Sequence, residues 1–302
     1  MIEEIESIEG LEALGPEWRE LWARCPEATP FQSPQWLLPW LQNLYKGGEI
    51  WALVLRCEGR LAGIAPLLLH RHWRNFEVRQ VSFIGAGISD YLDVLIEPAL
   101  ARSGARAFLR HLKERRSRWD VCDFQELRAA SPLLTSTFPD GVRRDVSACG
   151  ICPVVKLPES MELLRKSLPP KFRADLHRAA NRLRNSGGAA FETATAETLP
   201  EFLEALFQLH SARWELRHEP GMLCSDRIRN FHRQVASGFQ LSGSLRVHGL
   251  RQNGTIGAVV YSFVTGTTAY AYLGGFDPAL ARLSPGSMLM EFSIERAIQE
   301  GV

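Results

Sequence analysis

The sequence predicts an α+β protein built twice over, each copy a mostly antiparallel sheet flanked by helices. Three observations carry this. "VLIEPALARSGARAFLRHLKER", from Val94, has a double in "GGFDPALARLSPGSMLMEFSIERA", from Gly274: an acidic residue, Pro-Ala-Leu-Ala-Arg, then a glycine opening a helix-like run. "LRCEGRLAGIAPLLL" from Leu55 resembles "LRQNGTIGAVVYSFV" from Leu250, with Gly59 matching Gly254 and Leu61 matching Ile256. Both matches keep the same order along the chain, as two related domains in tandem require.

In chain order, Ser33-Pro34 is a cap followed by proline at the first helical position. The helix it opens has Trp36, Leu37, Trp40, Leu41 and Leu44 as its buried stripe. "IWALVLRC" and "RLAGIAPLLL" flank the turn Glu58-Gly59 as strands of a hairpin, and residues 105–113 supply a helix. "ACGICP" marks the boundary, giving domains 1–150 and 151–302. Residues 171–184 read as an amphipathic helix with Phe172, Leu176, Ala180 and Leu183 inward and Arg173, His177, Arg178 and Arg182 elsewhere. Thr198 to Glu201 is a capping-box pattern. It opens a helix with Leu203, Phe207, His210 and Trp214 on one face. "SLRVHGL", "TIGAVVYSFV" and "TAYAYLGGF" are strands of an antiparallel meander, divided at Asn253-Gly254 and Gly266-Thr267. A last helix runs from Gly286 to about residue 299.

Bulk properties narrow the function. The 302 residues suffice for about two domains, and a 45% hydrophobic content suits a folded core. With 35 basic against 34 acidic residues, the net charge of +1 gives no overall drive towards DNA or an anionic membrane. "MIEEIESIEG" lacks the order of a secretory signal, and the apolar runs fall short of the roughly 18 residues that span a bilayer. A cytoplasmic protein without membrane insertion is expected. Six scattered cysteines do not form a disulfide framework, and Cys149 and Cys152 lack a second ligand pair, so no metal site is expected.

A strand ending in "GGF", a tight "RLSPG" turn and a helix present backbone N–H groups and a positive dipole end, a usual phosphate site. Ser284 and Ser287 add hydroxyl donors. The same local pattern also describes a helix whose serine caps its own N-terminus. In the context of the meander it resembles the central motif of GNAT acyltransferases, where that helix holds the pyrophosphate of acetyl-CoA. Of their Q/R-x-x-G-x-G/A pattern, Arg282 fits the first position, Pro285 stands at the first glycine and Ser287 at the last small residue.

"FQSPQWLLPW", "SDYLDVLI", "LPPKFRADLHRAANRL", "LHSARW" and "GGFDPALARLSPGSML" together resemble the CelD-like acyltransferases associated with cellulose and exopolysaccharide gene clusters. These are two-domain GNAT proteins related to Fem-type peptidyltransferases. The resemblance implies transfer of an acyl group, from acetyl-CoA or another acyl-CoA, to an amine of a sugar or small metabolite. It implies a doubled GNAT unit whose later copy kept the coenzyme site, since "IEPALARSGARAF" lacks the "SPG" turn. It also implies one more strand after the coenzyme helix; the chain ends at Val302, so that strand is expected to be truncated.

Acyl transfer to an amine needs a donor for the developing oxyanion, a base for the ammonium proton and an acid for the leaving thiolate. The donor is expected on the strand 268–276 near Leu273 and Gly274, where paired glycines can break the ladder into a bulge. Arg282, Ser284, Gly286 and Ser287 complete the coenzyme set. By strand alternation Tyr270, Tyr272 and Gly274 share one face, and Tyr272 is either a catalytic group or core packing. His210 is a base, a substrate contact or a hydrogen-bonded core residue. Arg213 and Trp214 lie beside it as acceptor contacts, Arg213 equally as an ion-pair partner. In the first half Asp90 is a catalytic candidate, with Tyr91 and Asp93 as acceptor contacts; the carboxylates alternatively close a turn. Two further readings stand beside this one: an aminoacyl-tRNA-dependent ligase, less favoured, using the basic helix as a phosphate track, and a non-catalytic binding module.

Overall fold

The computed structural model describes residues 2–73, 77–148, 150–215 and 221–302, without the side chains of Trp73, Arg213 and Glu215. Cys149 of the C-x-x-C pair lies outside the described residues. The chain divides into units Met1–Cys152 and Pro153–Val302.

In the first unit β1 (Ile2–Ile5) leads through Ser7, whose hydroxyl accepts the Gly10 N–H at 3.0 Å, into α1 (Ile8–Ala23). α2 (Pro34–Asn43) begins on its proline and buries Trp36, Leu37, Trp40 and Leu41, with Leu44 half-buried beyond its end. After β2 (Glu49–Ile50) come β3 (Ala52–Cys57) and β4 (Arg60–Ala65), joined by Glu58 and Gly59, both at positive φ. Such turns match the twist of a two-residue hairpin. The chain leaves this sheet at Pro66 for β5 (Leu67–Trp73) and β6 (Glu77–Phe83), and returns at β7 (Leu95–Ile96). α3 (Ala101–Glu114), β8 (Val121–Cys122) and the one-turn α4 (Pro132–Thr135) follow. The strands pair as β1-β3-β4-β7 and β2-β5-β6-β8, antiparallel except for β6 with β8.

The second unit runs α5 (Met161–Ser167), α6 (Pro170–Asn185), β9 (Ala189–Thr193), α7 (Leu199–Glu215) and α8 (Asp226–Leu241). The meander β10 (Leu245–Gln252), β11 (Thr255–Thr265) and β12 (Thr268–Phe276) then leads through a 3-10 turn, Pro278–Leu283, into α9 (Pro285–Glu300). The sheet order is β12-β11-β10-β9. One face packs Leu250, Ala258 and Val260 against Ala179 and Leu183 of α6 and Met288 and Leu289 of α9. The other receives α7 and α8, with the Phe239 and Phe263 rings 4.7 Å apart. Two local expectations fail. Phe172 is 49% exposed, because the buried face of α6 narrows to its second half. Thr198 turns its hydroxyl to the Thr195 N–H while Glu201 pairs with Arg251, so no reciprocal capping box forms.

The sheets β1-β3-β4-β7 and β9-β10-β11-β12 have the same order, as the duplication expected from the repeats requires. Their hairpins break register at matched places, between Leu55 and Arg56 and between Leu250 and Arg251. Gly63 opposes Ile96 just before Glu97-Pro98, as Ala258 opposes Phe276 just before Asp277-Pro278. Arg56 binds Glu3 of β1, Glu17 of α1 and the Gly59 carbonyl; Arg251 binds Glu192 of β9, Glu201 of α7 and the Gly254 carbonyl. Each arginine thus ties a hairpin to its neighbouring strand and to the next helix. Replacing either by alanine is expected to cost about 1 kcal/mol, the scale of partly exposed ion pairs. Urea titrations should show that cost shrink in high salt; a change insensitive to salt would contradict the electrostatic account.

Candidate functional site

The site is built from β12 and what abuts it. Tyr261 opposes Leu273 and Ser262 opposes Ala271, so Tyr272 is the extra residue of a β-bulge, one place before the expected Leu273–Gly274 position. A bulge interrupts the ladder and resets side-chain alternation. Tyr270 therefore faces with Phe263, and Tyr272 packs on the same side, 5.8 Å from the His232 ring and 6.0 Å from Phe263. Gly274 opposes Val260 and belongs to the α9 face. The shared face expected for Tyr270, Tyr272 and Gly274 is thus corrected: the two tyrosines share one and Gly274 lies on the other.

α7 crosses β12 where no side chain intervenes. A Cβ on Gly275 would lie 2.8 Å from the His210 backbone nitrogen, so only glycine admits the helix this closely. This brings His210 beside the bulged strand. Its ring is 5% exposed, and its Nε2 accepts the Trp214 indole N–H at 3.0 Å. That bond places the proton of the neutral ring on Nδ1. The backbone of Arg213 continues α7, and its side chain lies outside the description.

Beneath Tyr272 lie residues the sequence reading passed over. His232 of α8 is fully buried, and burial, with His210 nearby, pushes it down to about 3. Tyr261 is also fully buried, and its hydroxyl has no hydrogen-bond partner among the described residues. The Tyr272 hydroxyl reaches the Met222 sulfur at 3.8 Å. A signal for His232 existed: it interrupts the apolar face of Ile228, Phe231, Val235 and Phe239 at helical spacing.

After β12, Asp277 caps the 3-10 turn by accepting the Ala279 N–H at 2.9 Å. Ser284 then takes a left-handed conformation, φ 55° and ψ 48°, at a cost on the order of 1 kcal/mol for a non-glycine residue. Pro285 opens α9, and the N–H groups of Gly286 and Ser287, in its first turn, lack acceptors within the helix. They face outward at the positive dipole end. Arg182 of α6 fixes the turn, donating from Nε to the Arg282 carbonyl at 2.8 Å and from Nη2 to the Ser284 hydroxyl at 3.3 Å. Only the tertiary fold reveals this role for Arg182. The side chains of Arg282 and Ser287 are exposed. A Cβ on Gly286 would meet only Phe276, at an ordinary 3.7 Å. On Gly104, the fourth residue of α3, it would lie 2.9 Å from Ile96 and 3.1 Å from Leu55. Gly286, in the first turn of α9, has room for a Cβ; Gly104, one turn into α3, has none.

Asp90, Tyr91 and Asp93 lie in the first unit, between β6 and β7. Asp93 is buried, accepts the Ser131 hydroxyl at 2.9 Å and the Val94 N–H at 2.8 Å, and is raised to about 6 by burial. It pins the loop to the cap of α4. Asp90 is at the surface, raised to about 6 by partial desolvation and by Glu126. Tyr91 is half-buried, its ring 6.1 Å from that of Phe31. Among the described residues no helix is long and apolar enough to cross a membrane.

Residues 170–302 match the family model described as an acetyltransferase (GNAT) domain, so the second unit carries a GNAT-type domain. Among solved structures, FemX is similar over 100% of this chain and 87% of its own, with TM-score 0.59 and 10% identity. A tandem GNAT protein from the clavulanic acid biosynthesis pathway is similar over 100% and 87%, with TM-score 0.38 and 13% identity. A conserved protein from Bacteroides thetaiotaomicron follows over 98% and 86%, with TM-score 0.49 and 12% identity. No curated protein matches the sequence.

The buried histidine makes stability depend on pH. From 6.5 down to about 3 the unfolded chain takes up a proton that folded His232 refuses, so stability falls on acidification by about 1.4 kcal/mol per pH unit. His248, pushed to about 4 by burial, adds a slope of the same sign over a shorter range. His232→Phe should flatten the slope by one proton between pH 6 and 3, read from urea unfolding at stepped pH. An unchanged slope would contradict the buried neutral ring.

Proposed function

We propose that the second unit is an acyl-CoA-dependent N-acyltransferase, using acetyl-CoA or another acyl-CoA and acting on an amine of a sugar or small metabolite. The observation that carries this is the sequence of a bulge at Tyr272, a left-handed Ser284 and a first turn of α9 uncrowded at Gly286. The residues present fit the coenzyme: two outward N–H groups, with Arg282 and Arg182 beside them, suit a pyrophosphate. When bound, the coenzyme supplies a thioester-activated acyl group. Gly286 and Ser287 hold the phosphate charge, and the ladder interrupted at Tyr272, beside Leu273 and Gly274, offers a backbone N–H to an oxygen gaining negative charge. Tyr272 is the group to return a proton to a leaving thiolate. His210 is the candidate to take the proton from the amine; for this Trp214 must release Nε2.

The basic helix gives less to the aminoacyl-tRNA alternative. Arg178 is bonded to Asp175, Arg184 to Asn181, and Arg182 is turned to the α9 start. Calorimetry with acetyl-CoA should give one site per chain, lost in Gly286→Trp, whose added bulk enters open space and not the core. Two sites, retained binding in that variant, or binding of tRNA without acetyl-CoA would overturn the reading. His210→Ala should lower kcat by about a hundredfold with coenzyme affinity nearly unchanged. Trp214→Phe removes a donor that favours the neutral ring, so the acidic limb of the pH–rate profile should move to higher pH. A fall in thermal stability with turnover per folded molecule intact would make His210 a packing residue.

A further inference from the structure

A cavity of about 210 Å³ opens on one face of the β2-β5-β6-β8 sheet in the first unit. Cross-strand pairing puts His70 opposite Gln80 and Leu68 opposite Ser82, and the parallel pairing of β8 brings Asp123 beside them. The Asp123 carboxylate is held in place from one side only. Its Oδ2 accepts the amide N–H groups of Gln80 at 3.1 Å and Gln125 at 2.8 Å, while Oδ1 has no hydrogen-bond partner among the described residues. Ser82 is 8% exposed and lines the cavity, yet its hydroxyl bonds no other described residue. His70 and His72, with rings stacked 6.0 Å apart, also line it. Burial and the neighbouring His72 hold His70 below its ordinary range, so it is neutral near pH 7 and can both donate and accept.

The lining offers acceptors: Asp123 Oδ1 and the carbonyl oxygens of Gln80 and Gln125, whose amide nitrogens each donate once to Asp123. Neither lysine nor arginine lines the cavity, so nothing there neutralises a phosphate or carboxylate. Among the described residues no cluster of three or more His, Cys, Asp or Glu could hold a metal ion. The volume lies below the roughly 300–1,000 Å³ of pockets for drug-sized ligands, which suits one small ring. Phe83 and Leu92 provide apolar wall for the C–H face of such a ring. We infer that this cavity binds a single-ring amino sugar, its ammonium on Asp123 Oδ1 and its hydroxyls on Ser82 and the histidines. The binding does not rest on the transferase reading of the second unit.

The test is calorimetric titration of the full chain with glucosamine, and separately with acetyl-CoA. Glucosamine should bind, Asp123→Asn should weaken it at least tenfold, and N-acetylglucosamine, without the ammonium, should bind more weakly than glucosamine. Acetyl-CoA affinity should be unchanged in that variant. Gln125→Ala, at the exposed rim, should weaken glucosamine several-fold and serves if Asp123→Asn does not fold. No glucosamine binding at millimolar concentration, or equal affinity in the folded variants, overturns the inference. Glucosamine binding that depends on Asp123 in a chain that ignores acetyl-CoA would uphold the cavity and remove the transferase reading.

Discussion

How a helix begins against its own sheet decides what each copy can hold at that place. In the first copy the turn Pro98–Leu100 runs directly into α3, and Gly104 is a glycine because Ile96 and Leu55 leave no room for a Cβ. In the second, the turn is longer and breaks at Ser284 into the left-handed region before Pro285 opens α9. The strain at Ser284, about 1 kcal/mol, is offset by Asp277 capping the turn and by Arg182 bonding both Arg282 and Ser284. Gly104 thus serves close packing one turn into its helix, while Gly286 leaves the first turn of α9 uncrowded.

The remaining parts of the site are arranged around the start of α9. β12 must lead into it, and the bulge at Tyr272 aims the strand while interrupting its ladder. α7 is held against the same strand by the bare backbone of Gly275. The space under Tyr272 is filled by His232 and Tyr261, polar groups taken out of water at a cost that apolar side chains would avoid.

The hairpins, the repeat order and the glycine-led helices were legible because turn chemistry and hydrophobic period are local. The bulge was legible in kind and displaced by one residue, because the extra residue is Tyr272 and not one of the paired glycines. That single shift overturned the strict alternation assumed for Tyr270, Tyr272 and Gly274. Arg182 read as one of several charges on a solvated face, and nothing local says that it meets residues a hundred positions later. The Asp123 cavity was illegible for the same reason: α3 separates β6 from β8, and only their parallel pairing assembles it. Asp93 read as an acceptor contact, whereas its carboxylate turns inward to Ser131.

Hydrogen–deuterium exchange with and without acetyl-CoA addresses the asymmetry of the two copies most directly, because it reports individual backbone N–H groups. The account expects slower exchange at Gly286 and Ser287 and around Leu273, with residues 101–104 unchanged. Protection at 101–104, or none at the start of α9, would contradict it.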